Sequence, residues 1–81
     1  MGATYSTVRI SPVRVGNGLW NRWDFTRDGA TVGEITETER GYVGKLFGPH
    51  GPNGRPAFTG CELPFRQSVF DQLTKQDEKR S

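Results

Sequence analysis

One cysteine, one histidine and one methionine occur in the 81 residues, and no run of apolar residues is long. With Cys61 alone, no intramolecular disulfide can form, so the chain is not a disulfide-stapled scaffold. With only His50 beside it, a structural zinc site built from Cys and His is excluded, and no cofactor or metal is expected. A membrane-spanning helix needs roughly 20 consecutive apolar residues, and none is present. The N-terminal residues also lack the charged, apolar and small-residue segments of a secretory signal, so the expectation is a cytoplasmic protein with no membrane partner. Only 32% of residues are hydrophobic. A chain this short buries only about 60% of the surface that its unfolded form exposes, which allows one small core and no large enzyme architecture.

Glycine and charge are what the chain has in quantity. Eleven Lys and Arg stand against nine Asp and Glu, a net charge of +2, and eight of the eleven bases are arginine. The imbalance is uneven. Residues 1–27 hold Arg9, Arg14, Arg22 and Arg27 against Asp24 alone, a net +3, while residues 28–81 hold seven bases against eight acids, a net −1. Any anion-binding face is therefore expected in the first third. Arginine pairs bidentately with carboxylate or phosphate and stacks on aromatic rings, which favours a recognition surface over simple solubilisation.

The hydrophobic pattern changes period once. From Thr4 to Ile10 the residues alternate, with Thr4, Ser6, Val8 and Ile10 on one side and Tyr5, Thr7 and Arg9 on the other, which predicts a strand. Pro12 lacks a donor, so this strand lies at an edge or breaks there. Gly16–Gly18 reads as a turn. The aromatic stretch Leu19 to Arg27 follows, then Asp28–Gly29, a dipeptide suited to a two-residue hairpin whose central residues both need positive φ. A third strand is expected over about Ala30 to Thr36, with Gly33 marking a bulge because Val32 and Ile35 are oddly spaced. A fourth spans Tyr42 to Phe47. Residues 48–56, with three Gly and three Pro, form a loop, and residues 57–60 a possible fifth strand.

From Pro64 onward the period becomes helical, with Phe65, Val69, Phe70 and Leu73 on one stripe. The helix starts between Pro64 and Ser68, and the polar tail 76–81 is expected to be disordered. The fold class is thus α+β: an antiparallel meander of four to five short strands with one C-terminal helix packed on one face, a single domain over residues 1–75. Val8, Ile10, Trp23, Phe25, Phe65, Val69, Phe70 and Leu73 are the expected core. The second face of the sheet is left open.

That open face carries the functional expectation. Alternation displays Trp20 and Arg22 together, and an antiparallel neighbour adds Tyr5 and Arg9, a mixture typical of protein hot spots. His50, Asn53 and Arg55 sit on the 48–56 loop, read as a recognition finger or a mobile connection. The expected function is a non-enzymatic interaction protein that binds a protein partner through the sheet face and this loop. The alternative is a nucleic-acid module in which Tyr5 and Trp20 stack bases while Arg9, Arg14, Arg22 and Lys45 meet phosphates. The simpler account of the face is that Trp20 covers an apolar edge and Arg22 pairs with an acid on the next strand. In size and single-domain character the chain resembles the small accessory and inhibitor proteins that phages and other mobile elements encode. Whether it is a monomer or a homodimer is open.

Three catalytic or lipid-linked readings have little support. His50 with Cys61 lacks an orienting third group. Glu34, Glu37 and Glu39 lie in and beside a turn, where charge serves solubility. Met1–Gly2 with Ser6 matches the spacing of an acylation signal, but no basic cluster adjoins it to strengthen a single acyl chain.

Overall fold

Two turns set the register of the first three strands. At Asp28 and Gly29 the backbone has φ of 52° and 85°, the pair of positive values that a two-residue hairpin needs, and Gly29 adopts its value without strain. The Asp28 carboxylate accepts a hydrogen bond from the Thr4 N–H at 2.9 Å, and the Asp28 N–H returns one to the Thr4 carbonyl at 2.8 Å. This ties the start of the chain to the turn. At the other end, Gly16 with φ of 60° opens the first hairpin.

The computed structural model describes residues 2–80. Its elements are β1 (Tyr5–Val15), β2 (Gly18–Arg27), β3 (Ala30–Glu37), β4 (Tyr42–Leu46), β5 (Phe58–Thr59) and α1 (Arg66–Arg80). The five strands form one antiparallel sheet in sequence order, and α1 packs against it, the α+β meander expected from the sequence. No helix among the described residues is long and apolar enough to cross a membrane. Met1 of the acylation pattern and Ser81 of the expected tail lie outside the described residues.

Cross-strand partners share a face, so the register identifies the buried side. Trp23 pairs with Ile35 and Ile35 with Gly44, while Phe25 pairs with Gly33 and Gly33 with Leu46. Val69 and Leu73 of α1 complete this core with Trp23, Phe25, Ile35 and Leu46. Phe25 stacks on Tyr5 at 5.4 Å between ring centroids and meets the Phe70 ring edge-on at 5.6 Å. The helix sits directly over Gly44. A Cβ there would fall 2.6 Å from Val69 Cγ1 and 2.8 Å from Leu73 Cδ1, so only glycine lets the helix come this close.

Several expectations need correction. Val8, expected in the core, is 53% exposed, because Thr7 pairs with Phe25 and so Tyr5, Thr7 and Arg9, the odd-numbered residues before the bulge, face the helix side. Ile10 shares the open face with Val8 and is half-buried. Phe65 is 68% exposed and precedes α1, its carbonyl accepting from the Ser68 and Val69 N–H groups. Ile35 and Leu46 take the core places instead. The first strand does not stop at Ile10: it continues to Val15 through a bulge at Ser11–Pro12, since Ile10 pairs with Arg22 and Val13 with Trp20. An edge strand tolerates proline there. The β3 bulge falls at Val32, the neighbour of Gly33. Residues 76–80, expected to be disordered, are helical, because Val69, Leu73 and Asp77 recur every four residues and are all buried.

Gly44→Ala should destabilise the fold by about 1–3 kcal/mol through overpacking under α1. Urea denaturation will show this as a lower midpoint at unchanged slope; an unaltered midpoint would mean that the helix stands further from the sheet.

Candidate interaction surface

The face of the sheet away from α1 is charge-compensated at its centre. Glu34 of β3 pairs with Lys45 of β4 and lies diagonally from Arg22 of β2, with Arg22 Nη1 3.1 Å and Lys45 Nζ 3.7 Å from the two Glu34 oxygens. Arg22 Nε also donates to the Ser11 carbonyl at 3.1 Å. The simpler sequence account of Arg22 therefore holds: its guanidinium is held by an acid on the next strand. Trp20 lies on the same face, paired with Val13.

Tyr5 and Arg9 are not on that face. The register that buries Phe25 turns both toward the helix side, where the Tyr5 hydroxyl donates to Asp77 Oδ2 at 2.8 Å and Arg9 Nη2 to Asn21 Oδ1 at 2.8 Å. The expected quartet thus splits into Trp20 with Arg22 on one side and Tyr5 with Arg9 on the other. The three glutamates divide as well. Glu34 faces the open side and Glu37 accepts from Asn21 Nδ2 on the helix side at 3.1 Å, so no carboxylate pair forms between them.

The 48–56 loop is not a finger. Gly51 N–H donates to the Gly48 carbonyl, Gly54 N–H to that of Gly51, and Ala57 N–H to that of Leu46, at 3.1, 3.2 and 2.9 Å, which folds the segment into consecutive turns against β4. His50, Asn53 and Arg55 are exposed on these turns. The loop forms one wall of a cleft of about 340 Å³, with Phe47, Pro49 and Pro52 facing Arg27, Asp77 and Arg80. Arg27 and Trp20 are seven residues apart on one strand, about 23 Å at the usual rise. The loop and Trp20 therefore occupy opposite ends of the sheet, and one continuous contact patch does not unite the expected site residues.

What projects instead is the first hairpin. Pairing between β2 and β3 begins at Arg22 with Thr36, and Asn21 reaches Glu37 through its side chain and N–H, so among the described residues Gly18–Trp20 has only β1 as a strand neighbour. The molecule is accordingly long, 43 × 26 × 20 Å. Leu19 is 61% exposed and Val15 39%, with Val13 and Trp20 half-buried at the base. Trp20 borders a shallow depression lined by Thr38, Glu39, Arg40 and Glu62. On the helix side of the same region lie Arg9, Arg14 and Arg66, none of them ion-paired among the described residues. The Arg66 guanidinium lies 4.6 Å from the centroid of the Trp23 ring.

Asp77 is the polar residue that the sequence reading missed. It is 2% exposed and accepts from Tyr5 and, at 2.7 Å, from Arg27 Nη1. Its signal is the four-residue spacing after Leu73, which apolar periodicity does not show because Asp77 is charged. Desolvation, followed by the bond to Asp77, raises the Tyr5 phenol above its ordinary value, and the bond to Asp77 raises that of Arg27. Cys61 is exposed and unpaired. Among the described residues no three His, Cys, Asp or Glu side chains converge as metal ligands.

No protein-family model, curated protein or solved structure matches the chain. The functional reading therefore rests on the surface itself.

Asp77→Ala should lower the melting temperature by removing the acceptor of both Tyr5 and Arg27, with Asp77→Asn restoring part of the loss. Because the Tyr5 phenol is raised on folding, the stability it contributes is complete below the ordinary phenol value near 10 and is lost as pH rises through the folded value. Melting curves from pH 8 to 12 should show this decline in the wild type and a smaller one in Tyr5→Phe.

Proposed function

We propose that the protein is a non-enzymatic interaction module of the accessory or inhibitor type, which binds a protein partner through the projecting β1–β2 hairpin. The observation that carries this is the exposure of apolar side chains on both faces of the arm beyond the third strand, Val15 on the face of Trp20 and Leu19 on the other. Apolar side chains held out on a two-stranded arm gain little from the fold's own core, and burial against a partner removes them from water. Tryptophan supplies large contact area at low entropic cost, the property that makes it frequent at hot spots. The reading moves the contact from the charge-compensated sheet centre and the 48–56 loop to the arm. It also places the protein in the cytoplasm, where the Cys61 thiol stays reduced.

Nucleic acid is the second reading, favoured by Arg9, Arg14 and Arg66, which have no acidic partner among the described residues and lie on the helix side of the sheet. Against it, Arg22 and Lys45 are held by Glu34, and Tyr5 is turned away from Trp20.

Cross-linked capture from the source cells should fall at least about tenfold for Leu19→Asp with Trp20→Ala, as expected of a truncated hot spot, with circular dichroism unchanged. Undiminished capture would remove the arm as the interface. Titration of tryptophan fluorescence with single-stranded DNA, duplex DNA and RNA separates the two readings. We expect no response at physiological salt, whereas quenching whose log affinity falls by about 0.7 to 0.9 per phosphate per log unit of salt would establish nucleic acid.

A further inference from the structure

β1 has a single neighbour, β2, and among the described residues no strand pairs with its outer edge. Backbone donors and acceptors on such an edge are a template for one more strand. Bulges, prolines and charges blunt edges of this kind, and β1 has a bulge at Ser11–Pro12, where the Ser11 carbonyl is already taken by Arg22. Before the bulge the edge is regular. Tyr5–Ile10 pairs one to one with Arg27–Arg22 on its inner side, and its six residues present about 20 Å of pairing length outside.

The two sides of this stretch differ in chemistry. On the open side stand Val8, 53% exposed, and Ile10. On the helix side stand Thr7 and Arg9, and Thr7 lines a cleft of about 340 Å³ with Ser6, Arg66, Gln67 and Phe70. Arg9 donates only to the neutral Asn21, and Arg66 rests on the Trp23 ring, so neither guanidinium has an acidic partner among the described residues. A strand laid along this edge would point alternate side chains to the two sides. One set would meet Val8 and Ile10, and the other would meet Arg9 and Arg66.

We propose that the Tyr5–Ile10 edge receives an extended segment of a partner protein as a sixth strand, a segment in which apolar and acidic residues alternate. Main-chain pairing supplies the attachment, Val8 and Ile10 bury the apolar set, and the two arginines select carboxylates over amines. A second copy of this chain fits the edge less well: β1 contains Arg9 and Arg14 and no acid, so self-pairing brings no counter-charge. The inference rests on the reading of the chain as a protein-binding module but uses a surface distinct from the hairpin tip.

The test is a titration of the ¹⁵N-labelled protein, followed by NMR, with acetylated eight-residue peptides at millimolar concentration. One alternates Val and Glu, one alternates Val and Lys, and one is the Val/Glu peptide N-methylated throughout, which keeps the side chains and removes every donor. Expected are shifts confined to Tyr5–Ile10 and the start of α1, and binding of Val/Glu at least about tenfold tighter than Val/Lys, the ratio equivalent to one decade in affinity. The N-methylated peptide should not bind. Arg9→Glu with Arg66→Glu should reverse the preference, and Arg9→Glu alone, which leaves the packing on Trp23 intact, should abolish it.

Equal affinity for the Glu and Lys peptides, undiminished binding of the N-methylated peptide, or no shift at Tyr5–Ile10 would each overturn the proposal. So would a concentration-dependent dimer with exchange-protected Tyr5–Ile10 amides, which would identify a second copy as the occupant. If capture depends on Leu19 and Trp20 while no peptide binds the edge, strand addition fails and the protein-binding reading stands. Nucleic-acid quenching in place of capture would remove both.

Discussion

The close seating of α1 over Gly44 is the constraint from which the rest of the architecture follows. A hydrogen at that position brings Val69 and Leu73 against the middle of the sheet, within reach of Ile35 and Leu46. A core of six buried hydrophobic residues among those described has little to spare, and burying each such side chain stabilises by about 1.5–3 kcal/mol. The helix can cover only one side of five strands. The opposite face, the outer edge of β1 and the end of the first hairpin are therefore left in water as a consequence of the small core.

Charge is distributed around this frame in two ways. Where basic residues lie near the covered or central parts, acids meet them: Glu34 stands between Arg22 and Lys45, and Asp77 receives Arg27 and Tyr5 beneath the far end of the sheet. Where they lie on β1 and at the start of α1, no acid among the described residues is ion-paired with Arg9, Arg14 or Arg66. The modest net charge of the whole chain conceals this local surplus. A surface of unpaired arginines beside exposed aliphatic residues suits an acidic, partly apolar partner, whereas the ion-paired sheet centre is a structural ladder.

Much of the fold was legible in the residue order. Asp28–Gly29 announced a hairpin because few residues accept two successive positive φ values, and the aromatic alternation of Trp23 and Phe25 marked the buried side of β2. The stripe of Val69, Phe70 and Leu73 marked the helix. The site was less legible. Alternation shows that Trp20 and Arg22 share a face, yet it points Tyr5 and Arg9 to the wrong side, since β1 is apolar at Val8 and Ile10 while its inner face before the bulge is Tyr5, Thr7 and Arg9. An edge strand is paired on one side only, so its hydrophobic pattern is a weak guide to its burial.

Local chemistry by itself determined the element order, the turns and the class of the fold, because backbone conformational preference and periodicity act within a few residues. Only the tertiary structure decided which face of β1 is inside, that the helix extends through Asp77, and that the loop and Trp20 lie at opposite ends. Those outcomes depend on register and on a buried carboxylate meeting Arg27, fifty positions away, at 2.7 Å. Pairing at such separation is set by the closing of the core and has no signature in the neighbouring residues.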